Sequence, residues 1–311
     1  MPASTDTPAV RLLFGGDAML GRGVNRVVQK QGPASPLAPI APVARAADAF
    51  FVNLECAITP RQIRFSGAEK AFYFRADPPA VQTLTHAGVD AVSLANNHAL
   101  DADYDGLRDT LRLLDAHGIA HAGAGTDLEA ARAPAVLDVG SRRVGLLAYC
   151  AHQADFAATA DRPGIRYVDL ARGDAPDALA GEVEALAARV DLVVAAFHWQ
   201  PNWVPRVAPL YRHLGRRLVE AGATVVWGHS PHHFQGVERI DGGTVLYSTG
   251  GLVDDYALND RFRNDRQLLF EVRASEGGTE GVHAFPIALD YARTHPATGE
   301  ARAWIVRRLA A

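Results

Sequence analysis

Only two cysteines occur in 311 residues, Cys56 and Cys150. Two are too few for a disulfide framework, and each ends an apolar run, the placement of a buried free thiol. No apolar run approaches the roughly 18 residues of a membrane span. Met1 to Pro8 is polar and lacks the apolar core of a signal peptide. A block of one charge is missing too: 31 Lys+Arg face 35 Asp+Glu, a formal net charge of −4. That balance excludes a nucleic-acid patch and a basic membrane-surface helix. Internal repeats, low-complexity segments and a clear interdomain linker are absent as well. A soluble, cytoplasmic protein with neither nucleic acid nor membrane as partner is expected; nothing in the chain fixes its oligomeric state.

What is present is a sizeable core, with 48% hydrophobic residues. Residues 1–9 read as a disordered lead and 10–311 as a single domain. Through the first three quarters, short apolar runs alternate with amphipathic stretches. Strands are expected at 11–14, 49–52, 89–94, 144–149, 192–197 and 224–227, with a short one at 71–74. Leu107, Leu111 and Leu114 recur at helical spacing, with Gly118 closing that helix. From Gln235 onward, alternating strands and Gly turns take over, and 302–309 reads as a last strand or helix. The pattern is α/β: two packed β-sheets with helices outside.

The chemistry sits at the strand ends. Asp17, Glu55, the Asn97-His98 pair, His198 and His229 each follow the C-terminal end of an expected buried strand. Open α/β sheets bind ligands at that end. Any one of these residues alone reads as a cap or turn residue; five such placements together argue for a built site. The segment Gly228-His229-Ser230-Pro231-His232-His233 adds three histidines within five residues, and neutral imidazole is a favoured metal ligand. Oxygen and imidazole without thiolate suit Mn, Fe, Zn, Mg or Ca as divalent ions. Six candidate ligands, Asp17, Glu55, Asn97, His198, His229 and His232, exceed the need of one tetrahedral ion. Two divalent metal ions about 3.5–4 Å apart, bridged by a carboxylate, would use them all. Glu55, central among the motifs, is the expected bridge. His98, beside Asn97, is then free to move protons.

Gly16-Asp17-Ala18-Met19-Leu20-Gly21-Arg22, Asn53-Leu54-Glu55, Leu94-Ala95-Asn96-Asn97-His98-Ala99-Leu100-Asp101, His198-Trp199 and Gly228-His229-Ser230-Pro231-His232 stand in a telling order. That ordered set, across residues 11–273, resembles the CapA-like poly-γ-glutamate capsule-biosynthesis family, a branch of the calcineurin-like metallophosphoesterases. The resemblance implies a four-layer αββα sandwich with a dinuclear metal site. Carried over by position, it implies Asp17 and His232 at the first metal. It implies Asn97, His198 and His229 at the second, Glu55 between them, and His98 as general acid. Three departures stand out. Asp17-Ala18-Met19 lacks the histidine of the usual Asp-x-His start. The last histidine pair is spaced by three residues instead of two. Tyr247-Ser248-Thr249-Gly250-Gly251-Leu252 replaces the usual Tyr-Ser-x-Gly-Asn-Phe.

Arg22 offers a guanidinium for an anionic substrate group, or equally for a surface salt bridge. Trp199 and Trp203, in and beside a Pro-containing loop, are candidates to line a substrate pocket. Asp254 and Asp255 read as turn residues, and His233 as lying behind or at the rim of the site, diverging from His232. The expected function is metal-dependent hydrolysis of a phosphoester or of a peptide or γ-glutamyl substrate. Metal-activated water would be the nucleophile, and the substrate a small anionic molecule or peptide. A metal-dependent peptide epimerase and a non-catalytic component of capsule assembly are the alternatives.

Overall fold

The structure is a computed structural model that describes residues 8–310. Most of the expected lead, 1–7, lies outside the described residues; Pro8 and Ala9 precede the first strand without regular structure.

Two mixed sheets form the centre. In the first, strands Val10–Ala18, Ala49–Leu54, Ala91–Ser93 and Ala120–Ala122 run parallel as successive neighbours. Arg266–Ser275, Gly278–Asp290 and Arg293–Pro296 extend it antiparallel on the other side, and Gly251–Val253 pairs with the end of Val10–Ala18. In the second sheet, Arg142–Cys150, Leu192–His198, Val225–His229 and Gly243–Leu246 are parallel, with antiparallel edges Ala135–Val139 and Val237–Ile240. Helices cover both outer faces, giving the four-layer αββα sandwich.

Side-chain parity shows how the layers are built. Leu146, Ala148, Val194, Ala196, Val225 and Trp227 join Leu12, Phe14 and Phe51 in the core between the sheets. Their odd-even neighbours Leu147, Tyr149, Val193, Phe197 and Val226 instead meet Leu179, Val183, Leu214 and Leu218 of the outer helices. Strands buried on both faces must be apolar throughout, as these are. Phe14 ties the sheets together, stacking on Phe51 at 5.2 Å and tilting against Trp227 at 5.5 Å. Each fully buried side chain of this kind contributes roughly 1.5–3 kcal/mol. The same period of two aims His198 and His229 into the space between the sheets.

Asp17 needs a different device. Phe14 pairs with Phe51 and Asp17 with Asn53, so three steps on one strand match two on its neighbour. This bulge at Gly15-Gly16 turns Asp17 onto the face of Phe14. Gly16 is required there, because a Cβ would stand 1.9 Å from the Gly250 carbonyl oxygen. Gly16→Ala is therefore expected to destabilise the fold by about 3 kcal/mol, at the upper end of overpacking costs. Urea unfolding would measure it, and a loss under about 0.5 kcal/mol, the scale of a surface change, would contradict it.

Two expectations change. No strand forms at 71–74: the Phe74 N–H donates to Asp101 Oδ2 at 2.6 Å, and Phe72 is exposed. The short strand is Arg75–Ala76, paired with Ala57–Ile58. The tail is a helix, Gly299–Leu309. Among the described residues, no helix is long and apolar enough to cross a membrane.

Candidate metal centre

The parallel strands of both sheets deliver their ends to one place between the layers. From the first sheet come Asp17 and Glu55, both fully buried. Asn53, between them, donates from Nδ2 to Asp17 Oδ1 at 2.8 Å and to Glu55 Oε2 at 3.2 Å. Its Oδ1 accepts from Asn96 Nδ2 at 3.0 Å, and Asn96 Oδ1 accepts the His98 N–H at 3.0 Å. This amide relay fixes the two carboxylates and the Asn97-His98 turn relative to one another.

The second sheet contributes His198 and His229, directly in register. Their Nδ1 atoms are 2.9 Å apart, and His198 Nε2 lies 3.9 Å from Glu55 Oε1. Beyond His229 the chain turns through Ser230 and His232, both at positive φ. Non-glycine residues tolerate that region only under local constraint. Here Ser230 Oγ donates to the Gln200 carbonyl at 2.6 Å, and Gln267 Nε2 donates to the His232 carbonyl at 2.9 Å. The turn brings His232 Nδ1 to 2.8 Å from Asp17 Oδ2.

Two ligand groups result: Asp17, Glu55 and His232, and Asp17, His198 and His229, with potential ligand atoms within 4.8 Å of one another in each. Asp17 belongs to both groups, and Glu55, the bridge the sequence pointed to, to the first. Glu55 still reaches both sides, touching the relay through Oε2 and facing His198 with Oε1.

The cluster is chemically incomplete in a specific way. Glu55 Oε1, Asn97 Oδ1 and His229 Nε2 are buried and have no hydrogen-bond partner. Each orphaned buried polar atom costs roughly 1–3 kcal/mol. Two such atoms within the cluster, on Glu55 and His229, fit cations at this position, and a third belongs to Asn97, also among the six expected ligands. The protonation tendencies agree. Burial holds His229 down at about 4 and His198 well below the ordinary imidazole value, so both rings are neutral and able to ligate at pH 7. Burial pushes the Asp17 carboxyl up, but hydrogen bonding and charge from His232 outweigh it and leave Asp17 lowered. Burial, then the Asp17 charge, raises Glu55 well above the usual carboxylate range.

His98 stands beside the cluster, its Nε2 4.0 Å from Glu55 Oε1. Its Nδ1 is 2.5 Å from Asp101 Oδ2, and its ring meets Phe74 edge-on at 4.5 Å. Burial lowers its pKa, opposed by the Asp101 charge. Lys70 Nζ lies 2.5 Å from Asp101 Oδ1 and also contacts the Asn97 carbonyl.

Several participants escape sequence reasoning. Asn53 and Asp101 stand inside the motifs as polar residues beside apolar runs, a visible signal. Lys70 and Tyr256 come from irregular loops with no periodic signal. Tyr256 meets the His232 ring at 5.4 Å, and its hydroxyl pKa is pushed far up by burial and then by the Glu55 charge. Of the substrate candidates, Trp203 borders the site, 5.5 Å from His232 and 5.8 Å from Phe262. Trp199 does not. It is fully buried on the outer face of its sheet, donates to the Tyr247 carbonyl at 3.0 Å and stacks on Phe197. Strand parity separates it from His198. Arg22 Nε pairs with Asp255 Oδ2 at 3.2 Å, the salt-bridge alternative, yet the side chain remains 38% exposed at the rim. Asp254 is buried, accepts the Tyr256 N–H at 2.9 Å and is pushed up to about 6 by burial. His233 turns away, its Nε2 2.8 Å from the Val204 carbonyl.

Comparison with known proteins places this geometry in context. The probable polyglutamine synthesis accessory protein of Mycobacterium tuberculosis (strain H37Rv) is 31% identical, over 95% of this chain and 89% of its own length. The PGA biosynthesis protein CapA of Bacillus subtilis (strain 168) is 26% identical, over 91% of this chain and 72% of its own. A solved 5'-nucleotidase from Candida albicans SC5314 overlays with a TM-score of 0.45 at 10% identity. It covers 96% of this chain and 57% of that one, an overlap too loose to speak for function. Residues 11–256 match the family described as "Bacterial capsule synthesis protein PGA_cap". The chain belongs to the bacterial capsule synthesis protein PGA_cap family.

Proposed function

We propose that this chain is a dinuclear-metal-dependent hydrolase acting on a phosphoester or on a peptide or γ-glutamyl amide. The observation that carries this is the buried cluster of Asp17, Glu55, His198, His229 and His232, in which Glu55 Oε1 and His229 Nε2 are orphaned; Asn97 Oδ1, next to His98 in the chain, is orphaned as well. Asp17, Glu55 and His232 would hold one ion; Asn97, His198 and His229, with Asp17 shared, would hold the other. Bound divalent ions supply Lewis acidity and lower the pKa of water. Within the protein, the Asn53-Asn96 relay holds the carboxylates still. In its protonated form His98 carries a proton on Nε2 for the leaving group, and Asp101 balances the imidazolium through Nδ1. Lys70 keeps Asp101 oriented. Phe74, Tyr256 and Trp203 limit water at the rim.

The relatives' printed names concern PGA biosynthesis and polyglutamine synthesis, which makes glutamyl chains the first amides to test. One of those names calls its protein an accessory, and that word favours a second reading, a binding component without catalysis. Reconstituting metal-free protein with Mn²⁺, Zn²⁺ or Fe²⁺ and assaying a phosphodiester and γ-glutamyl peptides separates the two. Metal-dependent product release that falls in His98→Ala supports the hydrolase. Inactivity with every ion on every substrate supports the accessory role.

A further inference from the structure

The cluster is closed to solvent. Asp17, Glu55, His98, His198, His229 and His232 are each at most 5% exposed, so no substrate reaches them until part of the cover moves. Phe74 and Tyr256 belong to that cover. Phe74 meets the His98 ring at 4.5 Å, Tyr256 meets the His232 ring at 5.4 Å, and the two aromatic rings lie 5.9 Å apart.

Phe74 ends the segment 59–74, which contains neither helix nor strand. The two ends of this segment are held together. Ala57–Ile58 and Arg75–Ala76 pair as parallel strands, and Arg75 donates to the Thr59 carbonyl at 2.8 Å. A compact loop with closed ends can swing as a unit about its base. Little apolar contact holds it down: between 60 and 74 only Phe65 and Phe74 are buried. Few buried contacts make local opening cheap. From outside, the Arg22 guanidinium lies over the Phe72 and Phe74 rings, at 5.7 and 5.2 Å, on the exposed rim.

On the inner side the polar contacts of the loop converge on Asp101. Its Oδ1 takes Lys70 Nζ at 2.5 Å, its Oδ2 accepts the Phe74 N–H at 2.6 Å, and its carbonyl accepts the Phe65 N–H at 3.3 Å. The Lys70 side chain is only 10% exposed, with Nζ 4.9 Å from the centre of the Phe156 ring. A charge so nearly buried stays there only while it is paired. Asp101 Oδ2 also faces His98 Nδ1 at 2.5 Å, and Lys70 Nζ lies 3.3 Å from the same nitrogen. The residue that fastens the loop is thus the residue that orients His98.

We infer that residues 59–74 are a lid over the cluster, latched by Lys70 on Asp101, and that Lys70 is a positioning residue, because closing the lid sets His98 for proton transfer. The last clause rests on the hydrolase reading; the lid does not. The test compares the metal-free chain with Lys70→Met and Lys70→Arg. Hydrogen exchange is read by mass spectrometry, beside the rate at which diethyl pyrocarbonate modifies His98 and His232. In Lys70→Met, peptides within 59–74 are expected to exchange about tenfold or more faster, as loss of a hydrogen bond between charged groups implies. Both histidines should be modified faster, exchange elsewhere should not change, and Lys70→Arg should stay near the parent. Unchanged exchange in 59–74, acceleration throughout the chain, or faster exchange without faster modification overturns the lid. In the metal-loaded enzyme, Lys70→Met should lower kcat about tenfold or more with KM little changed, and Lys70→Arg should restore it. An unchanged kcat overturns the positioning role. A parent inactive with every ion overturns the hydrolase reading and the positioning role with it, while exchange and modification still decide the lid.

Discussion

Glu55→Gln is expected to reduce metal-supported turnover by at least about a hundredfold, beyond the 10–100-fold typical of outer-shell partners, while stabilising the metal-free chain. The two effects have one cause. Glu55 is fully buried 2 residues from Asn53, near the Asp17 carboxylate, with Oε1 lacking any partner. Burial and the Asp17 charge raise its folded pKa well above the ordinary 4.5. Between 4.5 and that raised value, the folded chain holds a proton that the unfolded chain has released. Metal-free stability therefore falls as pH rises through this window. Glutamine keeps the shape and an acceptor for Asn53 but has nothing to ionise. The gain over the parent should be near zero below about pH 4.5 and grow above it, reaching about 1–3 kcal/mol, the cost of an orphaned buried group. Thermal melts of chelator-treated proteins from pH 5 to 8 measure it. A difference independent of pH, or a less stable variant at pH 8, would count against the buried-carboxylate account. Such a trade of stability for function is what a site built for cations implies.

The second large effect belongs to His98→Ala. Loss of a positioned proton donor costs about 10²–10⁴ in turnover. Because His98 contacts Asp101 and Lys70 through Nδ1 and only approaches Glu55 at 4.0 Å, metal content should not change. The fall should appear in kcat with KM little affected, and the loss should be smallest for substrates with good leaving groups, which need protonation least. Metal analysis alongside steady-state kinetics decides the matter. Loss of an ion with His98 would reassign it as a ligand, and unchanged turnover would remove it from the mechanism.

Much of this site was legible because it follows parity and strand ends. His198 and His229 end apolar runs of buried parallel strands, so period-two alternation settles both their position and their direction. The same rule, applied to the residue after His198, would have placed Trp199 on the opposite face, under Leu214 and Leu218, and not at the substrate. Asp17 was legible as a ligand from its place at a strand end, but its direction was not, because a bulge breaks the alternation and only the Gly15-Gly16 pair marks it in sequence. Lys70 and Tyr256 were not legible. They come from irregular chain at 61–74 and 254–256, where position is set by long-range contacts such as Phe74 to Asp101. Ala71–Phe74 looked like a strand because aromatic residues favour one, yet no sheet edge was there to receive it.

The central claim is that Asp17, Glu55, Asn97, His198, His229 and His232 form one cation site. Its most direct test is a metal count. Protein dialysed against Mn²⁺ or Zn²⁺ and passed through a desalting column is analysed by inductively coupled plasma mass spectrometry, beside His229→Ala and Glu55→Gln. The account predicts two ions per chain in the parent and a reduced count in both variants. A parent that retains no ion, or variants that retain as many as the parent, would contradict it.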